Sequence, residues 1–548
     1  MRWTPAILAC LAACGPGDKQ EDTSKDDPII KGDGPSITQG PTITSAGEHV
    51  PLSFKLALTT DSEATVIAEL EEPDGTVTTV TYQATGTDFS LPLLGLIGDA
   101  TTKVTVRVSD KGGVTSAAAI PVATKLPSVF PDIEVIVSEP EKMEPGYRLF
   151  SVRPTLLLNE NEYMMIADNR GKIVWMLDPD EVVLDVKPFT NGNLLAVQDA
   201  NDMIGGPLVE YTLLGEELQR WKSASHSRPG IVVDGVDGFH HDVVLLDDGN
   251  FLAISKEPLN IPTYHLSYID RQDVGPQIVS SDIFVKFTPQ GEVLETYHLS
   301  DILDTQRIGY DCLEPTHSDG LADWTHTNAL QVDPSDGNIV ISVRNQDVLV
   351  KFDATTHELI WMMGTEENWN ADWRDDLLQP QGDVEWSYHQ HGHDLGSGNR
   401  VLVFDNGLQR ASPFVQPPPM AIEDRYSRVV EYTVLPGSME VIQNWEFNDA
   451  GDGVLFSDLV GNARYMPDTG NVLGCFGYTT SVDGVPLNDV GFGRKAIRIV
   501  EFKPGQPHDV VFDMKLYSEI AENEDGWVAY RAEKLDSLYP PGVATVSR

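Results

Sequence analysis

Four short stretches carry residue types that could hold and attack a tetrahedral anion. They are His240-His241-Asp242, His326-Thr327-Asn328, Ser342-Val343-Arg344-Asn345-Gln346 and Gln390-His391-Gly392-His393. A guanidinium brings fixed charge and a fork of donors, and amides and imidazoles supply donors for further oxygens. An imidazole can also serve as nucleophile or carry a proton. Imidazoles bind zinc and copper too. However, Arg344 among them would repel a cation, and the nearby Asp242 and Asp394 stand only where they could support a ligand. The set therefore points to an oxyanion, with no metal and no cofactor expected.

These residues are far apart in sequence, so something must bring them together, and a repeat does. A strand opens on Gly-Asn at Gly192-Asn193, Gly249-Asn250, Gly337-Asn338, Gly398-Asn399 and Gly470-Asn471. Each is followed by a strand running into a turn, as in Val209-Glu210-Tyr211-Thr212, Val350-Lys351-Phe352-Asp353 and Val430-Glu431-Tyr432-Thr433. A sixth unit is suggested by Met165-Ile166-Ala167-Asp168 and Gly171-Lys172-Ile173-Val174-Trp175. Units of this kind fit the blades of a propeller. The expectation is an all-β six-bladed β-propeller over residues 130–548, closed by a strand from Trp527-Val528-Ala529-Tyr530-Arg531-Ala532.

Aligning the units on the first apolar residue after Gly-Asn places His241, Asn328, His391 and Asn462 at one repeat position, the turn before Ile339 being one residue longer. Equivalent positions surround one axis, so these side chains should converge on the shaft. His326, two residues before Asn328, shares its strand face. Arg344 mirrors Asn328 across the hairpin turn and becomes its cross-strand neighbour. Arg428 is expected on an outer strand. A single histidine in a propeller strand is more often a packed structural residue. Four polar residues at one repeat position are harder to explain that way, because apolar side chains fill a core without needing partners.

The rest of the chain sets the context. It has 548 residues and a formal net charge of −46, from 84 acidic against 38 basic residues. Nucleic-acid binding, which rests on Lys and Arg neutralising phosphates, is not expected. An anionic substrate would be repelled at long range and needs local cations. Residues 1–13 read as an export signal, and Leu11-Ala12-Ala13-Cys14 matches the lipobox of bacterial lipoproteins, with cleavage before Cys14 and acylation of its thiol. The expected location is an exported protein held by lipid at the bacterial outer membrane, on the periplasmic or cell-surface side. Residues 14–35 form an acidic tether, and residues 36–128, with alternating runs such as Lys103-Val104-Thr105-Val106-Arg107-Val108, read as a small immunoglobulin-like β-sandwich. Cys312 and Cys475 are far apart, and a bridge between them is not implied.

With Asp323-Trp324-Thr325-His326-Thr327-Asn328, Phe404-Asp405-Asn406-Gly407 and the closing Tyr530-Arg531-Ala532 added, the ordered set over roughly residues 150–545 resembles the bacterial arylsulfotransferase family. The resemblance implies transfer of a sulfuryl group from a phenolic sulfate ester to a phenol, without a nucleotide donor. It implies His391 as nucleophile through a sulfohistidine, with Arg344, His326 and His241 in catalysis and Asn328, His240, Asn462 and His393 around the substrate. Two departures stand out. The close cysteine pair that forms a disulfide in characterised members has no local counterpart here. His389 and His393 flank His391, so His393 remains an alternative nucleophile. Small aryl sulfates and phenols would be the partners, and the oligomeric state is left open. A non-catalytic propeller that binds a sulfated or phenolic ligand or a protein partner, and a sulfatase-like hydrolase, are the rival readings.

Overall fold

A computed structural model describes residues 34–155, 162–179, 181–198, 205–315, 320–451, 453–482, 485–486, 494–518 and 526–547. The lipobox with Cys14, and the tether up to residue 33, lie outside the described residues.

Six sheets, antiparallel but for a short parallel strand added to three of them, form the blades of a six-bladed β-propeller. Their innermost strands, in ring order, are Ala532–Leu535, Val183–Pro188, Val243–Leu245, Thr327–Val332, His391–Gly396 and Asn462–Met466. The ring closes twice. Ala532–Leu535, late in the chain, pairs with Tyr147–Pro154 as the inner strand of the first blade. Asp132–Ser138, early in the chain, pairs with Asp509–Tyr517 as the outer strand of the last.

Middle blade strands are buried on both faces and read as continuous apolar runs, as in Tyr163–Ala167, Leu194–Gln198 and Ile339–Val343. This is the pattern expected of sheets covered on both sides. The Gly-Asn signature marks the turn out of the inner strand. Gly249, Gly337, Gly398 and Gly470 all have φ between 74° and 80°, and a Cβ there would meet nothing within 4 Å. Backbone conformation, not crowding, selects glycine at these turns.

The N-terminal unit is one seven-stranded sheet. Its long strands Phe54–Glu71 and Val77–Leu93 largely alternate buried and half-exposed residues, as a sheet with one buried face should. Strand Ala544–Ser547, assigned by sequence to the propeller, instead pairs with Val77–Leu93. The chain's last described residues therefore clasp the first folded unit. One continuous core joins Leu56, Val66 and Val106 to Met164, Trp175 and Val209 of the first two blades. Ser53 Oγ and Trp175 Nε1 both donate to the carbonyl of Leu213, each at 2.8 Å.

Candidate active site

The inner strands converge at one end of the shaft on a cavity of about 390 Å³. It is lined by His240, His241, His326, Arg344 and His391, so five of the eight sequence-derived substrate-handling residues meet there.

His391 opens the inner strand of the fifth blade and is 3% exposed. Its Nδ1 lies 2.7 Å from Asn406 Oδ1. The amide of Asn406 donates to the carbonyls of Ser457 (2.8 Å) and Val460 (2.9 Å), which fixes its oxygen toward the imidazole. Nδ1 must then carry the proton, and Nε2 keeps its lone pair. Burial first, and then the charge of Arg344, push the His391 imidazole well below the usual histidine range. His391 is thus held neutral in one tautomer.

Around it stand three further imidazoles and a phenol. His326 Nδ1 is bound by Asp323 Oδ2 at 2.6 Å. The rings of His326 and His241 meet edge to face at 4.8 Å, and Tyr530 lies edge-on to both His241 (5.8 Å) and His391 (6.4 Å). His240 and His241 share a hydrogen bond between their Nδ1 atoms at 2.7 Å, and Asp282 Oδ1 lies 3.4 Å from His240 Nε2. His241 and His326 both have left-handed backbone, φ 57° and 50°, two residues and one residue before their inner strands. Side chains rarely accept that conformation outside constrained sites.

Arg344 pairs through Nη1 with Asp311 Oδ2 at 3.1 Å and donates to Asn345 Oδ1 at 2.6 Å. Its placement differs from the expected register. A bulge between Thr327 and Ala329 leaves Asn328 out of the ladder, and the amide of Arg344 faces the carbonyl of His326 at 3.3 Å. The same bulge and the turned backbone at His326 break the alternation, so His326 reaches the cavity and Asn328 does not.

Three sequence-derived residues thus lie outside the cavity lining. Asn328 donates to the carbonyl of Gln390 at 2.8 Å, latching the fourth blade to the fifth beside His391. Asn462 latches the sixth blade to the first: its amide donates to Ala532 O and accepts from Ala532 N, both at 3.0 Å. The repeat position therefore holds two cavity histidines and two inter-blade clasps. Asn462→Ala leaves a buried N–H and C=O unpaired and should lower stability by about 2–4 kcal/mol, read from the denaturant midpoint. His393 is buried within reach of the charges of Arg464, Asp242, Arg531 and Lys187, outside the cavity lining, and burial first, then Arg464, push it down to about 3.

Beneath the cavity the shaft is filled by charge. Arg531 Nη1 bridges Asp242 Oδ2 (2.9 Å) and Asp185 Oδ2 (3.2 Å), Lys187 also binds Asp242, and Arg464 clasps Glu533. Burial drives the Asp242 carboxyl upward, but Arg531 and Lys187 outweigh it and hold the carboxylate ionised. This plug is a rigid floor for the site. Cys312 and Cys475 are both free and buried.

The sequence reading missed four contributors. Asn406 was quoted as a motif without a role, Tyr530 likewise, and Arg153 and Asp311 went unnoticed. Nothing in the repeat alignment points to them, because they come from loops and from the ends of strands. His389 is a fifth. It is fully buried with Asp347 Oδ1 at 3.1 Å and Asp311 Oδ2 at 3.4 Å. Burial opposes its charge, yet the two carboxylates raise the imidazole to about 9. Raised above the unfolded value, it contributes stability in full below about pH 6.5, and that stability is lost as pH climbs through about 9. Wild type should therefore exceed His389→Gln in stability by about 3 kcal/mol at pH 6, with the gap closing by pH 10 in paired thermal melts.

A six-bladed propeller with a histidine- and arginine-lined cavity at one end of its shaft is the class that fold and site define. The chain belongs to the arylsulfotransferase (ASST) family, which it matches over residues 133–531. It is similar to the arylsulfate sulfotransferase AssT of Escherichia coli O6:H1 (strain CFT073), at 23% identity over 415 residues, covering 63% of this chain and 64% of that protein. The chain thus spans just under two thirds of that relative's length. Among solved structures it is distantly similar to hydrazine synthase of Kuenenia stuttgartiensis (TM-score 0.29, 9% identity, 61% of this chain and 66% of that one). A second is the dihydro-heme d1 dehydrogenase NirN (TM-score 0.29, 10% identity, 75% and 83%). Both likenesses are too remote to bear on the site.

Proposed function

We propose that the protein is an aryl-sulfate sulfotransferase that moves a sulfuryl group from a phenolic sulfate ester to a phenolic acceptor through a sulfohistidine, with no nucleotide donor. The observation that carries this reading is the Asn406 contact, which leaves Nε2 of a neutral His391 as the nucleophilic nitrogen of the cavity. In the first half-reaction an Nε2–S bond forms as the S–O(aryl) bond breaks. The electron pair leaves on the phenolic oxygen, which takes a proton from His326, whose imidazolium Asp323 stabilises. In the second half-reaction the acceptor phenol returns a proton to His326 and attacks sulfur, and the N–S pair goes back to Nε2. Arg344 and His241 hold the sulfuryl oxygens as charge redistributes.

A chromogenic aryl sulfate tests this directly. Release of the chromophenol should depend on added phenol, with the sulfated acceptor as product. Release independent of phenol points to hydrolysis, and binding without release to a non-catalytic receptor. We further propose export and acylation at Cys14, holding the enzyme at the outer membrane beside small phenols rather than cytosolic nucleotides. Cys14→Ala should leave the precursor uncleaved and unlabelled by fatty acid. A wild-type protein that takes up no label in its host removes this part of the proposal.

A further inference from the structure

The cavity holds two arginines in different states. Arg344 is already paired with Asp311. Arg153, next to last in strand Tyr147–Pro154, lines the same cavity and has no ion pair or side-chain hydrogen bond among the described residues. The acidic residues of the lining are otherwise engaged: Asp311 by Arg344 and His389, and Glu314 by the hydroxyl of Tyr268. The same cavity has an apolar lining of Leu184, Leu459, Val460 and Tyr530, which pack into one cluster. Val460 keeps φ at 54°, costly for a β-branched residue. The turn that holds it also supplies the carbonyl that orients Asn406.

We propose that Arg153 receives an anionic substituent on the aryl ring, so that the favoured phenols and their sulfate esters carry a carboxylate remote from the reacting oxygen. This rests on the sulfotransferase reading of the cavity. The sulfuryl group sits among Arg344, His241, His326 and His391, the ring lies against Leu184, Leu459 and Val460, and the carboxylate meets the guanidinium fork. A cation left unpaired in a half-dry recess is unfavourable, and a ligand carboxylate offsets that cost. On a chain of net charge −46, each anionic group of a substrate needs a local cation, and this cavity supplies two.

The test compares full-length wild type, Arg153→Gln and Arg153→Lys on two pairs of probes. The donors are phenyl sulfate and para-carboxyphenyl sulfate, and the acceptors are phenol and para-hydroxybenzoate. The preference for the carboxylated member, as a ratio of kcat/KM, should fall about tenfold to a hundredfold in Arg153→Gln, mainly through KM, and recover in part in Arg153→Lys. A fall in the donor pair alone places the carboxylate on the donor, and a fall in the acceptor pair alone places it on the acceptor. An unchanged ratio in both pairs overturns the proposal. If no pair is turned over, the sulfotransferase reading fails, and calorimetric binding of para-hydroxybenzoate against phenol still decides. Loss of a carboxylate preference in Arg153→Gln supports the site, and equal affinities of wild type for both ligands sink it.

Discussion

His391→Ala abolishes sulfuryl transfer, lowering kcat/KM by at least about a thousandfold, while the propeller stays folded. The ring is only 3% exposed, but its hydrogen-bonding partner outside the backbone is Asn406, whose amide remains tied to Ser457 and Val460. The loss is therefore of the covalent step rather than of a core. Wild type mixed with donor alone should release one equivalent of phenol in a burst and carry one sulfuryl group on the peptide containing His391. His391→Ala should show neither, and steady-state kinetics of wild type should be ping-pong. An adduct on His393 or His326 would reassign the nucleophile. A reaction that needs both substrates bound together would replace the intermediate with direct transfer. Asn406→Leu gives an intermediate result, a fall of roughly tenfold to a hundredfold in kcat, because Nδ1 loses the acceptor that selects the tautomer. His393→Ala should be much milder, since that ring lies outside the cavity lining.

The repeat made the architecture readable. Five Gly-Asn turns are each forced by a left-handed glycine, and each marks the same corner of a blade, so the sequence alone counts the blades and their inner strands. The cavity histidines were readable for the same reason: His241 and His391 sit at or just before the start of the inner strands of the third and fifth blades. Side-chain direction within that position was not readable. A bulge at Thr327 and a left-handed His326 turn Asn328 away from the cavity and bring Arg344 opposite His326, and neither distortion leaves a mark in a period-two pattern. Nor could residue type separate the cavity histidines from the clasping asparagines, because a buried amide serves an inter-blade hydrogen bond as well as a ligand. Asn406 and Asp311 lie outside the repeat position and are recognisable only by what they touch. Arg428 was placed on an outer strand by its position in the repeat; it is fully buried against Asp405, Glu385 and Glu446. Removing it would take one of two arginines from Asp405 and Glu385, which keep Arg410, and the arginine from Glu446, so it makes a poor control for the cavity arginine.

The appropriate contrast for Arg344→Ala is Arg107→Ala, which removes a half-exposed pair with Glu69 in the N-terminal sheet and should leave activity unchanged. Arg344→Ala should lower kcat/KM about a hundredfold to a thousandfold, the size expected when donors aimed at developing oxyanion charge are lost. It should also move the pH profile. In wild type, burial and Arg344 together keep His391 neutral well below pH 6.5, so the acid limb belonging to that residue lies low. Deleting the guanidinium removes a charge that disfavours the imidazolium and leaves Asp311 without one of its two cations. Both changes raise the His391 pKa, so the acid limb shifts upward toward pH 6.5. Arg344→Lys separates the two roles. It keeps the charge, so the limb should stay near its wild-type position, but it loses the planar fork, so kcat/KM should still fall by about tenfold or more. If Arg344→Lys moves the limb as far as Arg344→Ala does, the arginine does not act on His391 through its charge. If neither variant lowers kcat/KM, the sulfuryl oxygens are held elsewhere, and His241 and His326 become the donors to remove next.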